Sequence, residues 1–267
     1  MHPVLFRIGH LAIRSYGFFL VVAFLVGIWL ALKRVKKSDI ETGSIIDLAI
    51  LVLVSSIVGS RLFYVVFHLE EFEGRFWDII NPIHPGEDIG IGGLSMVGGV
   101  VLAILCGLVY LYIKKMKVWK IADIVSPSFI LGLSIARIGC LLNGCCFGKP
   151  TGSFLGVIFP LDSPAGYVFP STPIYPTQVF SSFGAVAILA VLLYLERYKN
   201  FDGFVFWLML MLYSVNRFIL DFFRFYEPST TFTFFQMKFS SNQVTLFFVF
   251  LISLAMFIWF KKRGKTE

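Results

Sequence analysis

Between Tyr16 and Leu32 the chain runs for 17 residues without a single charge. A helix that crosses a bilayer needs about 20 mostly apolar residues. Seven stretches meet that requirement or come close: 15–32, 45–67, 89–113, 121–142, 177–195, 204–223 and 244–260. In lipid every backbone N–H and C=O must be bonded internally, so only helices and closed barrels can span it. Barrel strands alternate apolar and polar residues over about 10 positions, and these runs do not alternate. The expected fold class is all-α, a polytopic membrane helix bundle with seven transmembrane helices. Composition agrees: 57% of residues are hydrophobic and 15% charged, against about 45–50% and 25% in soluble domains. Lys33, Arg34, Lys36 and Lys37 follow the first run directly, with no small-residue cleavage pattern between. The first run therefore reads as a retained span.

The net charge of +7 would suggest nucleic acid in a soluble chain. In a membrane protein the placement of the charges matters more, because cytoplasmic loops are rich in Lys and Arg. With the N-terminus outside, 14 of the 23 basic residues fall inside, 6 outside and 3 within spans. The expected orientation is N-out and C-in, and nucleic acid is not an expected partner. The chain reads as one integral-membrane domain over 1–267, with outer loops at 68–88 and 143–176. The first loop carries six acids against one arginine, and the second holds six of the eleven prolines. No internal repeat is visible.

The three basic residues within spans are Arg61, Arg137 and Arg217. A charge in mid-membrane costs roughly 2.5–3.5 kcal/mol, so three of them need a compensating role. In the N-out orientation all three lie in the outer halves of their spans, at similar depth. On the sixth span Tyr213, Arg217, Asp221 and Arg224 fall within an arc of roughly 80°, a polar stripe leading outward. Tyr16 is at the same level on the first span. Arg217 and Asp221 also have the spacing of a self-contained i,i+4 pair. Arginine's planar fork suits phosphate oxygens, so converging arginines point to an anionic lipid headgroup.

The third span opens with Gly90, Gly92 and Gly93, followed by Gly98 and Gly99. Such a run indicates close helix packing or a broken helix. Cys140, Cys145 and Cys146 cluster at the outer end of the fourth span, and Cys106 lies in mid-span. No Cys-x-x-Cys pair is present, so no metal is expected. The residues alone leave open a structural disulfide, a buried thiol and a nucleophilic thiol.

The stretch A-R-I-G-C-L-L-N-G-C-C-F-G-K-P-T, beginning at Ala136, resembles the signature of the prolipoprotein diacylglyceryl transferase family, roughly G-R-x-G-N-F-I-N-G-E-x-x-G-R-x-T. Further blocks follow in the family's order. They are I-R-S-Y-G from Ile13, G-S-R-L-F-Y-V-V-F from Gly59, G-G-L-S-M-V-G-G from Gly92, Y-P-T-Q-V-F from Tyr175 and Y-S-V-N-R-F-I-L-D-F-F-R from Tyr213. The resemblance implies a transferase of the bacterial inner membrane. It would move the diacylglyceryl group of phosphatidylglycerol to the lipobox cysteine in a prolipoprotein's signal peptide, with no cofactor. The residues it carries over are Arg137, Arg217 and Tyr16 for catalysis, with Arg61, Gly98, Gly99, Asn143, Tyr213, Asp221 and Arg224 for substrate binding. The sequence departs from the pattern at Val97 and Tyr175, where the family has histidine, at Cys140 for asparagine, at Cys145 for glutamate, and at Asp221 for glutamate. His10, His68 and His84 sit in no matching motif. The alternatives from other classes are a lipid-binding or lipid-moving protein without chemistry and a thiol redox protein using the three clustered cysteines.

Overall fold

The computed structural model describes residues 3–8, 11–74, 79, 93–226, 231–234 and 237–263. Most of the acidic loop at 68–88, with Arg75 and His84, lies outside the described residues, as do His10, Gly90, Gly92 and Lys265. The seven long apolar helices are α1 (Ser15–Val35), α2 (Thr42–Phe67), α3 (Met96–Ile113), α4 (Val118–Asn143), α6 (Thr177–Leu195), α7 (Phe204–Asp221) and α8 (Ser241–Arg263). A short helix α5 (Pro164–Val168) lies in the loop after α4. All seven long helices have the length and apolarity to cross a membrane, and the fold class is an all-α polytopic bundle. The described residues also include two short 3-10 turns, Leu69–Phe72 and Glu196–Tyr198, and two small ribbons, β1 (Val4–Ile8) with β2 (Leu11–Arg14) and β3 (Thr231–Phe234) with β4 (Met237–Ser240).

The chain divides into two compact units. The first contains Met1–Leu5, Arg14–Ala31 and Trp119–Glu267, and the second Phe6–Ile13 and Leu32–Val118.

In the first unit α1 and α4 run antiparallel in close contact. A Cβ on Gly27 would sit 3.4 Å from the Ser128 carbonyl, one on Gly132 3.2 Å from the Ala23 carbonyl, and one on Gly139 2.8 Å from Phe19 Cβ and 3.3 Å from Tyr16 Cα. Lipid supplies no hydrophobic drive between helices, so small residues that let backbones approach are what hold such pairs. This contact places Tyr16 opposite the end of α4. A core of Ile130, Ala185, Ile188, Leu192, Val205 and Met209 joins α4, α6 and α7. Trp119, Phe206, Trp207 and Phe260 stack at the end that also carries Lys261, Lys262 and Arg263, the placement of an interfacial aromatic belt.

One buried acid organises that end. Asp123 of α4 accepts from the backbone N–H groups of Gly203 at 2.8 Å and Phe206 at 2.9 Å. It thereby satisfies donors at the start of α7 that no side chain of α7 reaches. Lys199 neutralises it at 3.0 Å and also meets Asp202 at 3.2 Å. Burial pulls the Lys199 ammonium down, but its hydrogen bonds and ion pairs to Asp123 and Asp202 outweigh this and raise its pKa.

In the second unit α2 and α3 pack along their length. A Cβ on Gly98 would collide with Phe63 Cβ and the Gly59 carbonyl, and one on Gly99 with Ser60 Oγ. Helix packing accounts for both glycines. The third helix begins at Met96 and not near Ile89, because Gly93 takes φ +64° and Ser95 N–H is drawn 2.9 Å from the Ser60 carbonyl. The sixth span is also shorter than its apolar run. It stops at Asp221, where Lys149 caps it through Nζ to the Phe222 carbonyl and N–H to the Phe223 carbonyl, both at 2.9 Å.

Candidate functional site

The end of α4 builds the centre of the first unit. Gly144 N–H donates to the Leu141 carbonyl at 3.2 Å, and Cys145 N–H to the Cys140 carbonyl at 3.1 Å. These are the two bonds of a Schellman cap, in which the chain turns back through a left-handed residue. Gly144 supplies that conformation with φ +72°, which costs a glycine almost nothing. The cap folds Cys145 back onto Cys140. Cys146 is itself left-handed at φ +60°, and the three Sγ atoms end within 4.8 Å of one another. All three cysteines are thiols, with Cys140 buried and the other two partly so.

The turn is held from α6. Thr177 Oγ1 donates to the Cys146 carbonyl at 2.8 Å, and Gln178 Nε2 to the Cys145 carbonyl at 2.7 Å. These are the polar residues of the Y-P-T-Q block, and their role here is to position the cysteine turn. Tyr175, where the family pattern has histidine, packs its ring on Phe223 at 5.5 Å while its backbone pairs with Lys149 and Gly148.

Arg137 lies one helical turn before Cys140. Its Nη1 is 4.0 Å from Cys140 Sγ, and it also reaches the Cys146 sulfur. Its Nε is buried with no hydrogen-bond partner among the described residues. Arg137 and the three thiols are in electrostatic reach of the Tyr16 phenol, and Arg137 in reach of Tyr213. Asn143 bonds the Cys145 thiol. Arg224 approaches through a bridge between its own backbone and Gly148. Hydrogen bonds from Cys140 and Cys145 hold the Cys146 thiol well below its ordinary range, with the charges of Arg224 and Arg137 adding to this. A bond from Cys140 lowers Cys145, but Cys146 and burial outweigh it and push that thiol up.

Arg217 is in a different situation. Its Nη1 pairs with Asp221 Oδ1 at 3.1 Å and its Nη2 donates to the Tyr226 hydroxyl at 3.1 Å, which in turn donates to Asp221 Oδ1 at 2.8 Å. Asn242 and Ser240 complete the Asp221 shell at 2.5 and 3.4 Å. Burial raises the Tyr226 phenol, which keeps it a donor. The i,i+4 pair thus forms, and it ties α7 to the start of α8. A reciprocal capping box secures that start: Gln243 N–H donates to Ser240 Oγ at 3.2 Å and Ser240 N–H to Gln243 Oε1 at 2.9 Å. The S-x-x-Q spacing is its sequence signal, and sequence reasoning passed over it. Asp123 and Tyr226 were missed as well, since neither stands in a recognisable motif.

Arg61, Gly98, Gly99 and Val97 belong to the second unit. Arg61 donates through Nε to the Ile79 carbonyl at 2.9 Å and through Nη1 to the Gly93 carbonyl at 3.2 Å, with its guanidinium 5.3 Å from the Phe72 ring centroid. It pins the segment that leads into α3. Val97 is 58% exposed near the start of that helix, where an apolar side chain can neither donate nor accept a proton.

A sequence model of the prolipoprotein diacylglyceryl transferase family matches residues 3–259. A phosphatidylglycerol–prolipoprotein diacylglyceryl transferase of Clostridium tetani is 34% identical over 230 residues, covering 84% of this chain and 86% of its own. One of Clostridium botulinum strain Langeland is 30% identical over 221 residues, covering 83% and 84%. A protein of Clostridium perfringens named phosphatidylglycerol–prolipoprotein diacylglyceryl transferase 2 is 33% identical over 231 residues, covering 84% of each chain. With seven membrane-length helices, the molecule is a multi-pass membrane protein.

Proposed function

The chain belongs to the prolipoprotein diacylglyceryl transferase family, and from that premise we propose that it transfers the diacylglyceryl group of phosphatidylglycerol to the lipobox cysteine thiol of a prolipoprotein. The reaction forms a thioether at the glyceryl carbon next to the phosphate and breaks that carbon's bond to oxygen. Glycerol phosphate leaves. We place it in the outer half of the bacterial inner membrane, with the N-terminus outside.

Arg137 is the observation that carries the chemistry. It is a partly buried guanidinium whose described partners are sulfurs and whose Nε has none. A fixed cation with an open edge suits an anion, and a phosphodiester gains negative charge on the leaving oxygen as its carbon–oxygen bond breaks. Preorganised donors aimed at developing charge supply the largest share of many rate enhancements. Arg137, helped by Arg224, is the phosphate-binding pair in this reading. Arg217 supports the site by holding Tyr226 and Asp221, and Tyr16 closes the α1 side. Arg61 orders the entry to α3. Tyr213 and Asn143 line the lipid site of the first unit, and Gly98 and Gly99 serve the packing of α3 on α2.

The test is one assay with purified protein, phosphatidylglycerol and a lipobox peptide. A mass gain of one diacylglyceryl group is expected. Arg137→Gln should lose about 10²–10³ in turnover, the effect of removing one transition-state donor, while its melting temperature stays near that of the parent. An unchanged turnover would remove Arg137 from this role.

A further inference from the structure

The transfer needs its acceptor sulfur as a thiolate, because a thiol is a poor nucleophile. Here the usual neutral-pH base, histidine, is replaced by Val97 and Tyr175. In the first unit three sulfurs converge within 4.8 Å, two brought together by the Schellman cap of α4 and the third by the left-handed Cys146. With metal–sulfur bonds of about 2.3 Å, three sulfurs around one tetrahedral ion stand about 3.8 Å apart. Small movements of the thiols would close that gap. The spacing C-x4-C-C is not a zinc-finger pattern, and the convergence comes from the helix cap instead.

We propose that Cys140, Cys145 and Cys146 hold a zinc ion whose open fourth position takes the acceptor thiol. Three protein ligands with one exchangeable position are the arrangement of catalytic, as opposed to structural, zinc. A thiol that coordinates zinc gives up its proton outright, so the metal does the work of the absent base. Three thiolates and one divalent ion leave the cluster with a charge of −1. The bound acceptor thiolate takes it to −2, which Arg137 and Arg224, both facing the cluster, balance.

The acceptor thiol binds zinc and releases its proton to water. Its sulfur attacks the glyceryl carbon, a carbon–sulfur bond forms, and the carbon–oxygen bond to phosphate breaks with its electron pair on oxygen. The thioether product carries no charge and is a weak ligand, so it leaves the metal. The zinc keeps its oxidation state throughout. This inference rests on the transferase reading for the identity of the acceptor, and its test separates the two.

Protein purified in detergent with reductant and then stripped of metal is titrated with Zn²⁺, with Co²⁺ as a spectroscopic stand-in. One equivalent should bind, with a sulfur-to-cobalt charge-transfer band. Bound zinc should shield three cysteines from an alkylating reagent that chelation then exposes, with Cys106 as the internal control. A lipobox peptide should shift the cobalt ligand-field bands, and the same peptide with serine for cysteine should not. Cys146→Ser should bind zinc at least 100-fold more weakly while eluting as the parent does in gel filtration. No saturable binding by the reduced protein overturns the proposal, as does isolation of the metal-free protein with a disulfide among these cysteines. Transferase activity that persists undiminished after metal removal overturns the acceptor role. Zinc and peptide binding without any transfer would instead count against the transferase reading.

Discussion

Arg137 and Arg217 are chemically alike, and both interrupt apolar helices, but their neighbours give them different work. Arg217 has its charge cancelled by a carboxylate that is itself fully buried at the side chain. Removing one member of a buried pair strands the other and costs about 3–5 kcal/mol. Asp221→Asn should therefore lower the melting temperature in detergent sharply. The double substitution Arg217→Met with Asp221→Leu should recover much of the loss, since no charge is left buried. Arg137 has no such partner among the described residues, so its loss should appear in turnover and hardly in melting. If Arg137→Gln melts early while Asp221→Asn does not, the two roles are exchanged. Both arginines were visible in the sequence as charges inside spans. The pair on α7 was legible from its i,i+4 spacing alone. The open edge of Arg137 was not, because the partners that could have filled it come from other parts of the chain.

At the scale of elements, a buried helix cap in the first unit and a close helix contact in the second each hold their own unit together. Asp123 caps α7 from α4, at a separation of 80 residues from Gly203. Asp123→Ala should destabilise by at least the roughly 1–2 kcal/mol of a lost cap, measured by thermal melting, and it also takes from Lys199 the nearer of its two carboxylate partners. That lysine gives the cap a pH signature. Its folded pKa is raised from an ordinary 10.5, so its stabilisation is complete below that value and is lost as pH rises through the higher folded one. The melting temperature should fall above about pH 10.5, and Lys199→Met should abolish that extra fall. In the second unit, Gly98→Ala places a methyl group where Phe63 and the Gly59 carbonyl already stand. Overpacking of this kind costs about 1–3 kcal/mol, so the variant should melt earlier, whereas Ala at Gly17, with nothing within 4 Å of its Cβ position, should not. The α3 glycines were readable as a packing signal. The late start of α3 was not, since it depends on Gly93 turning the chain against α2.

At the scale of the whole molecule, basic residues divide 14 to 6 between the two sides of the membrane in the N-out reading. A fluorescent protein fused after Arg263 should then fluoresce in the cytoplasm, and an alkaline phosphatase fused at the same point should stay inactive. An active phosphatase would reverse the orientation. The sequence by itself determined the class, the seven spans and the family, because apolar length, charge placement and motif order are properties of the chain read locally. Only the tertiary structure decided which buried charges are neutralised and that three thiols with no metal-binding spacing meet at one point. Both outcomes depend on a left-handed turn at Gly144 and on partners from α6, α7 and the start of α8, and no local pattern of residues records which distant groups will be brought within a hydrogen bond.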